Sequence, residues 1–239
     1  MLLLIGFAGA CAVRLGGSGP RTFRTLAYSA PGGESAEATA AQIDATAPDI
    51  VLLTGDGDST WFAEVAQRTQ LALSGPGRTG ETRQAFLTRG LEILGDTSII
   101  LDVASGGRIH MHDALYEISE RRHIDLMLVQ LDTNDLREAM RTLLSYIATD
   151  VGATAAVVFA LDAATPQAAD SAATLLRAAY TNAGECADAT AMAIGETRAE
   201  PESEIALRLF YGPEVRTDCE QATVLAAPGN PVVADLVVR

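Results

Sequence analysis

The chain has 239 residues and a formal net charge of −14, and all 17 of its basic residues are Arg. With 48% apolar and 20% charged residues, it is not a disordered chain, and one α/β domain of this length can bury a substantial core. The absence of Lys excludes the P-loop lysine and Schiff-base catalysis, and the acidic balance argues against nucleic acid, whose affinity comes from cations meeting phosphates.

Residues 1–13 are an uncharged apolar run. The run is shorter than the ~20 residues a membrane-spanning helix needs, and it lacks the cationic start of a secretory signal. It reads either as the remnant of a membrane anchor or as a buried first strand. The linker-like stretch Gly16–Pro20 favours the anchor, so a membrane tether or export is expected, and a cytoplasmic location otherwise. The expected division is an anchor and linker over 1–20 and one domain over 21–239. Phe23–Tyr28 then reads as a strand. Glu34–Ala47 places Ala36, Ala40, Ile43 and Ala47 near helical spacing, and Pro48 stops it.

Ile50–Leu53 reads as a buried strand, followed by a Gly/Asp turn and a helix from Thr60 to Leu73, capped by Ser59 or Thr60. Ser74–Glu81 is a Gly/Pro-rich loop. Strand-like segments follow at Ala85–Thr88, Ser98–Val103, Ile109–Met111 and Ile124–Leu131. Thr133–Thr149 is an amphipathic helix with Leu136, Met140, Leu143, Leu144 and Ile147 on one face; Asp132 and Asp135 at its start suit capping. Ala155–Leu161 is a buried strand and Pro166–Ala183 a helix opened by Pro. The remainder is mainly β: Thr190–Ile194, Ile205–Tyr211, Thr223–Ala226 and Val232–Val238. This order suits two packed sheets with helices outside. Besides Cys11 the thiols are Cys186 and Cys219, and spacing leaves their pairing open.

Six segments resemble, in order, the signatures of the endonuclease/exonuclease/phosphatase superfamily. Arg24–Ser29 resembles the strand written L-x-Y-N, and Pro48-Asp-Ile-Val-Leu-Leu-Thr-Gly55 resembles P-D-I-V-x-L-Q-E. Phe86–Leu94 resembles L-S-R-x-P-I-L with Arg89 kept. Arg121–Asp132 resembles the strand ending N-x-H-L, Ala156–Pro166 the G-D-F-N-A-T-P turn, and Ala227–Leu236 the closing S-D-H-x-P-V-x-A-D-L. The resemblance implies an α/β fold of the DNase I type: a four-layer α/β/β/α sandwich of two mainly antiparallel sheets with outer helices. It also implies Mg²⁺ or Mn²⁺ held by carboxylate and amide oxygens, with an Asp/His pair supporting attack by water on a phosphate ester.

The positions that would carry that chemistry are here Ser29, Gly55, Gln130, Leu161, Ala163, Pro228 and Gly229. A hard cation needs converging oxygen ligands, so no catalytic residue, cofactor or metal ligand is expected. The expected function is a catalytically inactive binding or scaffold module. Its partner would be an unidentified protein or a small anionic ligand, with Tyr28 and Arg89 lining the old cleft. The alternative is a divergent phosphoesterase using Mg²⁺ or Mn²⁺ on relocated ligands, drawn from Asp56 and Asp58 or from His110 and His112. Against it, Asp56 and Asp58 read as a polar turn and helix start, and the two histidines as one face of a solvent-facing edge strand. Asp162 is expected to point to the face opposite the lost Asp position.

Overall fold

The computed structural model describes residues 20–75, 83–120, 122–151, 155–185, 207–217, 222–224 and 231–238. Two sheets lie face to face. The first contains β1 (Arg21–Ser29), β2 (Ile50–Thr54), β3 (Ala72–Ser74), β4 (Gln84–Thr88), β11 (Val215–Thr217), β12 (Thr223–Val224) and β13 (Val232–Val238), in the order β11-β13-β1-β2-β4-β3 with β12 also on β13. The second runs β5 (Glu92–Asp102), β6 (Arg108–Ser119), β7 (Arg122–Asp132), β8 (Ala155–Asp162), β10 (Leu207–Tyr211), β9 (Thr181–Asn182). One parallel pair occurs in each, β1–β2 and β7–β8, and every other pairing is antiparallel.

Strand alternation builds the layers. Phe23, Ala27, Ile50, Leu52 and Phe86 from the first sheet meet Leu126, Leu128, Val158 and Ala160 from the second in a buried central cluster. The other faces carry helices: α1 (Ala36–Thr46) and α2 (Ser59–Thr69) cover Leu26, Tyr28, Val51 and Leu53. Helices α3 (Leu136–Tyr146) and α4 (Pro166–Leu176) cover Met111, Met127, Phe159 and Leu161. With a period of two, one apolar strand serves both layers. The result is the expected four-layer α/β/β/α sandwich.

Several boundaries differ from the sequence reading. Helix α2 is capped by Asp58, not by Ser59 or Thr60, and its carboxylate accepts from Trp61 N at 2.9 Å. It stops at Thr69 because Gln70 is left-handed (φ 56°), which releases Ala72–Ser74 to form β3. Asp135 caps α3, which continues past Tyr146 as a wider π turn over Ile147–Val151. Helix α4 ends at Leu176, so Thr181–Asn182 becomes a short strand rather than a helix end. Strands β5 and β6 are much longer than their apolar cores suggested. The expectations for residues 1–13, Thr190–Ile194, Cys11, Cys186, Cys219, Pro228 and Gly229 lie outside the described residues. Among the described residues no helix is long and apolar enough to cross a membrane.

Candidate functional site

At one end of the sandwich the two sheets splay into an open cleft. Register places Ser29 beside Thr54 and Thr54 beside Gln84 across the first sheet. His110 lies beside Gln130 and Gln130 beside Asp162 across the second. These two rows, with Gly55, Asp56, Arg83, Asp132 and Ala163, line adjoining spaces of about 540 and 300 Å³. The structure thus brings together Ser29, Gly55, Asp56, His110, Gln130 and Ala163 from the residues singled out in the sequence.

Four residues, Leu161, Asp162, Tyr28 and Arg89, do not stand where the sequence reading put them. Leu161 is fully buried under the helices. Ala156, Val158 and Ala160 enter the central core, and the same alternation carries Asp162 into the cleft. The resemblance is therefore displaced by one residue here, and a carboxylate remains at the position thought to hold Leu161. Burial pushes the Asp162 carboxyl up to about 6. Tyr28 packs in the outer layer, its hydroxyl donating to Glu34 at 2.7 Å. Arg89 is at the opposite end of β4, where its N–H meets Asp49 O. The cation at the cleft is Arg83, which the sequence reading missed; it is paired with Asp56.

Neither of the relocated ligand sets converges. Asp58 is committed to capping α2. His110 and His112 do share the inward face of β6, but β6 is an inner strand with β5 and β7 on either side, not an edge. His110 reaches the cleft, whereas His112 is 3% exposed and sits against the Phe86 ring at 5.2 Å. Among the described residues no group of three or more His, Cys, Asp or Glu could hold a metal ion.

The position of the expected metal-holding Glu has been repacked. A β-carbon built on Gly55 would lie 3.2 Å from Trp61 Cη2 and 3.3 Å from Ala30 Cβ. The Trp61 indole is fixed there by a 2.9 Å bond from Nε1 to Glu34 O. A longer side chain at Gly55 would have to displace it. Two further residues at the cleft were missed in the sequence: Gln84 and Thr54 are 4% and 3% exposed, and their buried Nε2 and Oγ1 atoms have no hydrogen-bond partner among the described residues. The signal was present, because both follow from the β2–β4 register once Thr54 is known to face inward.

No family model matches the sequence, and no curated protein matches it. Solved structures do match. An endonuclease/exonuclease/phosphatase family protein from Bacteroides thetaiotaomicron superposes with a TM-score of 0.69 at 10% identity, over 92% of this chain and 99% of that one. TDP2 from D. rerio complexed with a single-strand DNA product gives 0.63 at 14% identity, over 90% and 98%. The human Nocturnin catalytic domain with a bound sulfate anion gives 0.59 at 14% identity, over 91% and 95%. The fold is that of the endonuclease/exonuclease/phosphatase superfamily. Within that fold the cleft described above is formed by strand ends of both sheets, while the donor set in it does not fit a divalent cation. Gly55 offers no ligand, Asp56 is held by Arg83, and Asp162 stands in surroundings that disfavour its charged form.

Proposed function

We propose that the domain is a catalytically inactive binding or scaffold module built on the endonuclease/exonuclease/phosphatase fold. The observation that carries this reading is that a side chain at Gly55 would run into Trp61 and Ala30, while the neutral residues Ser29, Thr54, Gln84 and Gln130 line the same cleft. Ser29, Gln130 and His110 line the cleft with hydrogen-bonding side chains. The ligand best suited is small and polar. An anion is poorly matched, because Arg83 is the single cation among the lining residues and it already faces Asp56, with Asp132 and Asp162 nearby.

A divergent phosphoesterase is the second reading, and the presence of Asp56, His110 and Asp162 along one cleft favours it over a site on Asp58 or His112. Hydrolysis would need an aligned nucleophile and stabilised charge, which these three residues do not supply as arranged. The test is turnover of bis(p-nitrophenyl) phosphate with millimolar Mn²⁺. Release of nitrophenolate no faster than in buffer is expected. Turnover that disappears in Asp162→Asn would replace this reading with the phosphoesterase one.

A further inference from the structure

Edge strands present unpaired backbone groups, and proteins blunt them by shortness, charge or cover. Three of the four sheet edges here are short: β3 and β11 have three residues each and β9 has two. The fourth is long, and carries charge at Glu92, Asp96 and Asp102. Strand β5 has 11 residues, pairs among the described residues only with β6, and is exposed along nearly its whole length. Among the described residues the exposed large hydrophobics are Ile93, Leu94 and Ile100, at 38%, 48% and 57%, and all three lie on β5. After a bulge at Leu94, pairing with β6 is unbroken from Gly95 to Asp102, so this stretch is a straight template.

The two faces of that template differ. On one, Ile99 and Leu101 pack beside the α3–α4 layer. On the other, Asp96, Ser98, Ile100 and Asp102 face the same side, two carboxylates bracketing one exposed apolar residue; Asp96 accepts from Gly75 N at 3.3 Å, and Asp102 makes an exposed ion pair with Arg108 at 3.4 Å. A second copy fits this pattern badly. Antiparallel self-pairing about Thr97, the strand's midpoint, would set Glu92 against Asp102 at both ends, between two chains that each carry −14. Like charges directly opposite destabilise a pair.

We propose that β5 is a docking edge for an extended segment of a partner protein that alternates apolar and basic residues. The segment adds as an outer antiparallel strand to the six-stranded sheet. Its apolar residues continue the Ile99–Leu101 face, and its Arg or Lys residues lie beside Asp96 and Asp102. Backbone hydrogen bonds supply affinity, and the alternation supplies specificity.

The test uses the full chain and a synthetic peptide, acetyl-Arg-Val-Arg-Val-Thr-Val-Arg-Val-amide, read by fluorescence anisotropy and by amide exchange. Saturable binding with slowed exchange of the Gly95–Asp102 amides is expected. Methylating alternate peptide nitrogens, which keeps charge and apolarity but removes donors, weakens binding by about tenfold or more, and Ile100→Arg in the protein does the same. Ile100 is exposed, so that variant leaves the core intact. Absence of saturable binding, or binding indifferent to N-methylation, overturns the proposal. So does a sedimenting dimer with the β5 amides already protected, which would make the occupant a second copy.

Discussion

Asp125→Asn is expected to stabilise the protein, by an amount that grows with pH. Asp125 lies on the helix-facing side of β7, is 5% exposed, and has one oxygen, Oδ1, without a partner among the described residues. Its neighbours are Asp113 on β6 and Tyr146 at the end of α3, whose hydroxyl donates to Asp113 Oδ2 at 2.9 Å. Burial first, and then Asp113, push the Asp125 carboxyl well above the ordinary carboxylate range. The folded state therefore keeps a proton that the unfolded chain releases near pH 4. The contribution of this group is complete below that pH and declines as pH rises toward the folded value. The decline can reach about 1.4 kcal/mol per pH unit. Asn is neutral throughout. Urea unfolding of both proteins should give curves that coincide near pH 4 and separate above it, with the variant ahead by about 2 kcal/mol or more at pH 8. Parallel curves would show that Asp125 is not the proton holder.

His112 sets the opposite limit. Its ring is buried among Phe86, Gly75 and Ser98, with Ser98 Oγ 3.2 Å from Nδ1 and no partner for Nε2. Burial depresses its pKa to about 4, against weaker raising effects from Asp96 and Asp113. A neutral folded histidine faces an unfolded one that protonates near 6.5. Stability from this group is therefore full above pH 6.5 and lost as pH falls toward 4, about 3 kcal/mol in all. In His112→Gln the loss over that window should vanish, while other carboxylates still titrate. A variant retaining the wild-type slope between pH 6.5 and 4 would refute the assignment. With both groups acting, their opposite slopes largely cancel between pH 4 and 6.5, and above 6.5 the loss from Asp125 remains.

Much of the sandwich was legible because alternation does double work. Ile50-Val-Leu-Leu53 and Ala155–Leu161 are apolar on both faces, which marks strands covered by a second sheet and by helices. What was lost was lost for physical reasons. Strands β5 and β6 carry Asp96, Asp102, Asp113 and Glu117 on solvent or helix-margin faces, so their apolar cores looked short. Residues 177–182 keep a helical composition, yet the pairing of Thr181 and Asn182 with β10 overrides it. The cleft was half legible. Ser29, Gly55 and Gln130 were placed by resemblance and do line it, whereas Asp162 was mistaken for an outward residue by one step of register. Arg83 and Gln84 had no motif to announce them, since their role comes from standing opposite Thr54. The repacking of Trp61 over Gly55 joins residues six apart across a turn that sequence alone does not fold.

The central claim is that the cleft no longer holds a divalent cation. Titration calorimetry of Mn²⁺ and Mg²⁺ into the protein at millimolar metal tests it most directly. The account predicts no saturable heat at the cleft. One-site binding abolished by Asp162→Asn or Asp56→Ala would contradict it and restore a metal-dependent phosphoesterase as the reading of this fold.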